Sequence, residues 1–174
     1  MKGSMIFVGL VVLLYLVAWG SGYQIAVNPT TSMPRGLYLL MPVKDFSRGS
    51  LIAACIPDKK TATLYVKRGY LPASQRCASG AAPIIKPIAA VPGDTVKLDD
   101  SGVSINNHNI DHSKTEDLDS DGRSIPHLLP GIINLANDHF FVMSTHSARS
   151  LDSRYFGPIQ KMDAIGQVKP IYTE

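Results

Sequence analysis

The run PIIKPIAAV at residues 83–91, closed by Pro92-Gly93-Asp94 and resumed as DTVKLDD at 94–100, decides the fold class of this chain. Both segments are short and apolar or β-branched, and both end in turn-forming residues, the pattern of strands packed into a sheet. The same pattern recurs as GLYLLMPV at 36–43, SLIAACI at 50–56, TLYVKRGYL at 63–71, GVSINNHNI at 102–110, HFFVMST at 139–145 and IGQVKPIYT at 165–173. Beyond the N-terminal segment no stretch shows sustained helical periodicity. The expectation is a mainly β domain, an antiparallel, partly open barrel-like sheet. Residues 106–123, the one polar stretch of low hydrophobicity, are expected to form an exposed loop.

The 174 residues suffice for one domain with a real core, not for two large ones. Hydrophobic residues make up 45% and charged residues 18%, so the chain can bury enough apolar surface to fold. The net charge of +3 is mildly basic, but Lys and Arg form no long run, which argues against nucleic acid as a partner.

The N-terminus points to a membrane. MIFVGLVVLLYLVAW fills residues 5–19, and no charged side chain occurs from Gly3 through Pro34. Such a segment is a membrane span or the core of a signal peptide. A helix continuing through Gly20, Ser21 and Tyr23 towards Ala26 would reach across a bilayer. The small-x-small patterns at 18–20 and 20–22 are weak cleavage sites, so a retained anchor over 1–26 is expected, followed by an exported domain over 27–174. Lys2 and the amino terminus carry the only early positive charge, which keeps the N-terminus cytoplasmic and sends the rest across.

In an oxidising compartment the two cysteines, Cys55 and Cys77, read as a structural disulfide. Closing that loop of about 23 residues stabilises a fold by roughly 3 kcal/mol in the chain-entropy model. Free buried thiols or a metal pair are the alternatives, and the spacing lacks the C-x-x-C form of a metal site. No metal or other cofactor is expected. DLDSDG at 117–122 imitates the start of a calcium loop, but its twelfth position is Leu128 where a bidentate Glu is needed. His108, His112, His127, His139 and His146 form no ligand pattern. His146 near Asp152 is all that remains of a Ser-His-Asp arrangement.

Ser32, in NPTTSMPRG at 28–36, stands just after the apolar segment, and by itself would be an ordinary turn residue. A base could make it a nucleophile. Lys86 is surrounded in sequence by isoleucine, alanine and proline. A buried lysine loses its preference for the ammonium form, and the neutral amine can take a proton from a serine hydroxyl.

SMPRGLY at 32–38, KPIAAVPGD at 86–94 and MSTHSARSLDSRYFGPI at 143–159 resemble, in order, the nucleophile, lysine and C-terminal boxes of the signal peptidase I superfamily. The small size, single N-terminal segment, Thr-rich approach to the serine and the cysteines between the first two boxes are similar to the TraF-type branch, the pilin-maturing peptidases of conjugative plasmid transfer. The resemblance implies Ser32 as nucleophile, Lys86 as general base and Thr30, with the Ser32 backbone N–H, as oxyanion donors. It implies Ser150 as the residue that orients the lysine, Asp152 and Arg154 as the acid and arginine that shape the site, and Met33 and Pro34 beside the substrate. Pro87, Ala90, Ser144-Thr145-His146 and Arg149 depart from the superfamily pattern beside these positions.

The function so implied is a serine endopeptidase anchored in a bacterial inner membrane, with its catalytic domain in the periplasm. The resemblance implies that it processes a pilin precursor and joins that pilin's ends, through an acyl-enzyme. The other readings are a general signal peptidase, a non-catalytic pilus-assembly protein and a self-cleaving Ser-Lys repressor, the last disfavoured by the membrane segment.

Overall fold

A computed structural model of the chain describes residues 6–9 and 20–174. Most of the anchor expected over 1–26, residues 1–5 and 10–19, lies outside them, and among the described residues no helix is long and apolar enough to cross a membrane. The strands are β1 (Gln24–Asn28), β2 (Gly36–Met41), β3 (Leu51–Ala54), β4 (Ile84–Ala90), β5 (Thr95–Asp99), β6 (Gly102–Ile105), β7 (His108–Asn109), β8 (Gly131–Asn134), β9 (His139–Val142), β10 (Ile159–Gln160) and β11 (Ala164–Thr173). Among the described residues two short α-helices, α1 (Lys59–Lys67) and α2 (Ser153–Phe156), and a 3-10 turn at Lys161–Asp163 interrupt them. The fold is mainly β, and every strand pairing is antiparallel.

A seven-stranded sheet runs β1-β2-β11-β3-β4-β9-β10, and a four-stranded sheet runs β7-β6-β5-β8. Register shifts in β11 between Ala164 and Gly166, in β11 between Pro170 and Tyr172, and between β4 and β9 at Ile88 and Ala90 mark where the large sheet departs from regular pairing. Such irregularities bend strands and raise their twist. In the four-stranded sheet, β6 and β7 join through Asn106 and Asn107, both at positive φ. Two consecutive left-handed residues define the type I′ turn that matches strand twist in a two-residue hairpin.

β4 shows why the opening segment matters. Ile84, Lys86, Ile88 and Ala90 are buried while Ile85, Pro87 and Ala89 are half-buried, the two-residue alternation of a strand. Lys86 therefore shares the inner face with Ile84 and Ile88, which pack with Ile52, Ala54, Phe140, Val142 and Ile159 in the main core. The strand ends in a turn in which Asp94 N–H donates to the Val91 carbonyl at 3.0 Å and Gly93 takes φ +86°. Pro92 before Gly93 suits the type II turn, whose third residue must have positive φ. Asp94 is buried and paired with Arg48, so it holds the turn and a neighbouring loop together.

Three expectations need correction. TLYVKRGYL is not a strand: residues 63–67 belong to α1, which Asp58 caps by accepting from the Thr61 N–H. Ala62 and Tyr65, three apart, point that helix into the core, and Gly69 at φ +74° follows its end. The expected continuation of a helix to Ala26 is not found, because Gln24, Ile25 and Ala26 pair with Leu40, Leu39 and Tyr38 in the sheet. The loop at 106–123 is not wholly exposed either, since Ser113 and Asp119 are buried. Asp119 accepts from Tyr70, Arg123 and two backbone N–H groups, which consumes the carboxylate that the calcium-loop imitation would need.

Cys55 and Cys77 are joined, with Cα atoms 5.5 Å apart. The bond ties the end of β3 to the segment between α1 and β4.

Candidate active site

The nucleophile turn spans the connection from β1 to β2, and its shape is set from within. The Asn28 side chain donates to the carbonyls of Thr30 (3.2 Å), Met33 (3.2 Å) and Pro34 (3.0 Å), and accepts from the Thr30 N–H (3.2 Å) and hydroxyl (2.7 Å). The Tyr38 hydroxyl adds a second hold on the Pro34 carbonyl at 2.5 Å. Gly36 then returns the chain to the sheet at φ +148°, where a Cβ would collide with the Tyr172 carbonyl oxygen.

Ser32, half-buried at the top of this turn, meets Lys86 from the core face of β4. Lys86 Nζ lies 2.7 Å from Ser32 Oγ and also donates to the Ile85 carbonyl at 3.2 Å. With Lys86 only 4% exposed, burial pulls its pKa from the ordinary 10.5 down to about 8. Asp152 pulls the other way and Arg154 reinforces the burial, both by charge. Thr30 Oγ1 stands 3.1 Å from Ser32 Oγ on the other side.

Behind the serine lies the β9 to α2 connection. Ser144 Oγ donates to the Ser32 carbonyl at 2.7 Å, and the Ser144 N–H donates to Asp152 at 3.2 Å. Asp152 caps α2 and is wholly buried with Arg154. Their ion pair is bidentate, Nε to Oδ1 and Nη2 to Oδ2, each 2.8 Å. The guanidinium also donates to the carbonyls of Lys114, Ser144 and Ser150, so it ties the β7 to β8 loop to the β9 to α2 connection.

Ser32, Lys86 and Thr30 thus converge, with Asp152 and Arg154 one layer deeper. Ser150 is buried, but among the described residues its hydroxyl has no hydrogen-bond partner and does not engage Lys86. Met33 is buried in the turn and Pro34 serves through its carbonyl; neither lines the cleft beside Ser32. That cleft, about 260 Å³, is walled by Val27, Leu71, Pro83, Ile85, Arg149 and Leu151. Two contributors were missed in the sequence, Asn28 and Ser144. An Asn before Pro signals only a turn, whereas Ser144 stood out already as a departure beside the C-terminal box.

Ser32 and the buried Lys86 therefore stand together at the mouth of an apolar cleft. The family described as signal peptidase, peptidase S26, matches residues 1–173, and the chain belongs to it. The conjugal transfer protein TraF of Agrobacterium tumefaciens (strain 15955) is 32% identical over 174 residues, 99% of this chain and 93% of the relative. The protein of the same name from Agrobacterium fabrum (strain C58) is 35% identical over 156 residues, 87% and 83% of the two chains. The plasmid transfer protein TraF of Escherichia coli is 32% identical over 162 residues, 92% and 89% of the two chains.

Proposed function

We propose that this member of the signal peptidase family is a Ser-Lys endopeptidase that matures a pilin precursor in conjugative plasmid transfer. The observation that carries the proposal is the 2.7 Å contact between Ser32 Oγ and a buried Lys86 whose pKa is drawn down to about 8. A neutral amine there takes the Ser32 proton as Oγ attacks the scissile carbonyl, and returns it to the departing amine. The Ser32 backbone N–H stabilises the oxyanion, with Thr30 in reach. The product of this half-reaction is an acyl-enzyme on Ser32. Asp152 and Arg154 keep the β9 to α2 connection in place and do not exchange protons with substrate.

The names of the relatives support the conjugative setting, and the uncharged segment before β1 supports a membrane anchor with the site in the periplasm. The pilin's own amino terminus is the proposed second nucleophile, so that the acyl-enzyme is resolved by closing the pilin into a ring.

The test co-expresses the full chain with the pilin precursor of the same plasmid and weighs the mature pilin by mass spectrometry. Maturation by wild type and none by a folded, membrane-bound Ser32→Ala variant is the expected result. Maturation by that variant overturns the peptidase assignment. A product one water lighter than the linear mature chain is expected for ring closure, and the linear mass refutes it.

A further inference from the structure

Asn28 belongs to none of the three sequence boxes, yet it makes more polar contacts to the nucleophile turn than any other side chain there. Its amide orientation is over-determined. One end faces the carbonyl oxygens of Thr30, Met33 and Pro34, and the other faces the Thr30 N–H. Only Nδ2 towards the carbonyls and Oδ1 towards the N–H satisfies all four.

That orientation determines where the protons lie. Oδ1 can only accept, so the 2.7 Å contact from Thr30 Oγ1 consumes the single proton of the threonine hydroxyl. Towards Ser32, 3.1 Å away, Thr30 Oγ1 is then left as an acceptor. If the Ser32 proton is on Thr30, Lys86 Nζ must be the donor across its 2.7 Å contact with Ser32 Oγ. For Lys86 to act as base, the serine O–H has to turn from Thr30 to a neutral Nζ. For Thr30 to donate to an oxyanion, its own O–H has to leave Asn28.

We propose that Asn28 is a positioning residue of the Ser32 turn, which it clamps through three carbonyls flanking Ser32 while holding the Thr30 proton, so that Thr30 accepts from the nucleophile in the resting enzyme. The proposal rests on the Ser-Lys reading above. Asn28 is 7% exposed and is not among the reacting groups; it acts through Thr30 and the turn.

The test is a double-mutant cycle on the purified full chain in detergent, with the pilin precursor as substrate and product followed by mass spectrometry. Losing the clamp lets Ser32 drift, so Asn28→Ala is expected to lower kcat by about 10- to 100-fold while KM changes by less than about threefold. In a Thr30→Val background, where there is no proton left to direct, the penalty of Asn28→Ala should shrink by at least about threefold, because residues acting through one network are not additive. Asn28→Asp keeps the acceptor but turns an oxygen towards the three carbonyls, and it should also lose kcat.

A kcat within about twofold of wild type for either Asn28 variant, an effect on KM alone, or an equal penalty in the Thr30→Val background overturns the proposal. Loss of far-UV structure in both Asn28 variants also overturns it, by assigning Asn28 to stability alone. Ser32→Ala run in parallel separates the two claims. Turnover by Ser32→Ala refutes the peptidase reading, whereas a dead Ser32→Ala beside an unaffected Asn28→Ala refutes only the role of Asn28.

Discussion

Lys86→Met removes the amine and keeps the length of the side chain. In the wild type, burial lowers the Lys86 pKa from 10.5 to about 8, a shift that costs the folded state about 3 kcal/mol wherever the pH lies below the folded value. Between pH 8 and 10.5 the unfolded chain binds more protons than the folded one, so wild-type stability rises with pH through that window. Methionine has no such dependence. Against the gain stands the loss of two hydrogen bonds, to Ser32 and the Ile85 carbonyl, each worth about 1 kcal/mol.

The net expectation at pH 7 is a variant more stable by about 1 kcal/mol, which raises the melting temperature by a few degrees, roughly 2–4 °C for a domain of this size. The advantage vanishes at about pH 9 and turns into a deficit approaching about 2 kcal/mol towards pH 10.5, where only the two lost hydrogen bonds remain, and the variant is inactive throughout. Thermal unfolding at pH 7, 8, 9 and 10, read by circular dichroism on both proteins, gives the comparison. If the variant is less stable than wild type by the same amount at every pH, Lys86 is not a desolvated base. The wild-type rate should rise about tenfold per pH unit below pH 8 and level off above it.

Ser144→Gly deletes the hydroxyl that donates to the Ser32 carbonyl at 2.7 Å; it should lower kcat about 3- to 30-fold with little change in KM, as expected when a serine is held less well, and Michaelis kinetics on the precursor checks this. Arg154→Met leaves the Asp152 carboxylate buried without its cation and should destabilise the fold by about 3–5 kcal/mol, measured as a shift of the urea midpoint.

Much of the fold was legible because the sheet writes a two-residue period into short segments. Ile84-Ile85-Lys86-Pro87-Ile88 displays that period, and it alone places Lys86 on the face that Ile84 and Ile88 bury. α1 was not legible. Its nine residues hold only two buried positions, Ala62 and Tyr65, and Leu64, Tyr65 and Val66 in succession look like a strand. Its true signal was the Pro57-Asp58 start, with Asp58 as the cap. β8 was missed because Ile132 is 66% exposed, so the segment lacks an inward pattern that period analysis could detect.

In the site, Ser32 and Lys86 could be found as residue types in a matched order, 54 residues apart. Asn28 could not, since its importance arises only once the chain folds back and brings the carbonyls of Thr30, Met33 and Pro34 around one amide. Local sequence reports neighbours along the chain, and a clamp on a turn is a fact about neighbours in space.

The buried acid behind the lysine bears on how the base works. A carboxylate near an amine ordinarily favours the ammonium and would spoil a general base. Here Asp152 acts on Lys86 in that direction, but Arg154 opposes it while binding both carboxylate oxygens at 2.8 Å. At Lys86 the Arg154 charge offsets part of the Asp152 charge, and desolvation remains the largest influence. Asp152 and Arg154 can therefore fix Ser144, and through it the Ser32 carbonyl, without charging the base. An acid left without its arginine would both loosen that support and raise the Lys86 pKa, so Arg154→Met should move the rise of the pH–rate profile to higher pH. A profile left in place, in a variant that is still folded, would mean that Asp152 does not act on Lys86 through its charge.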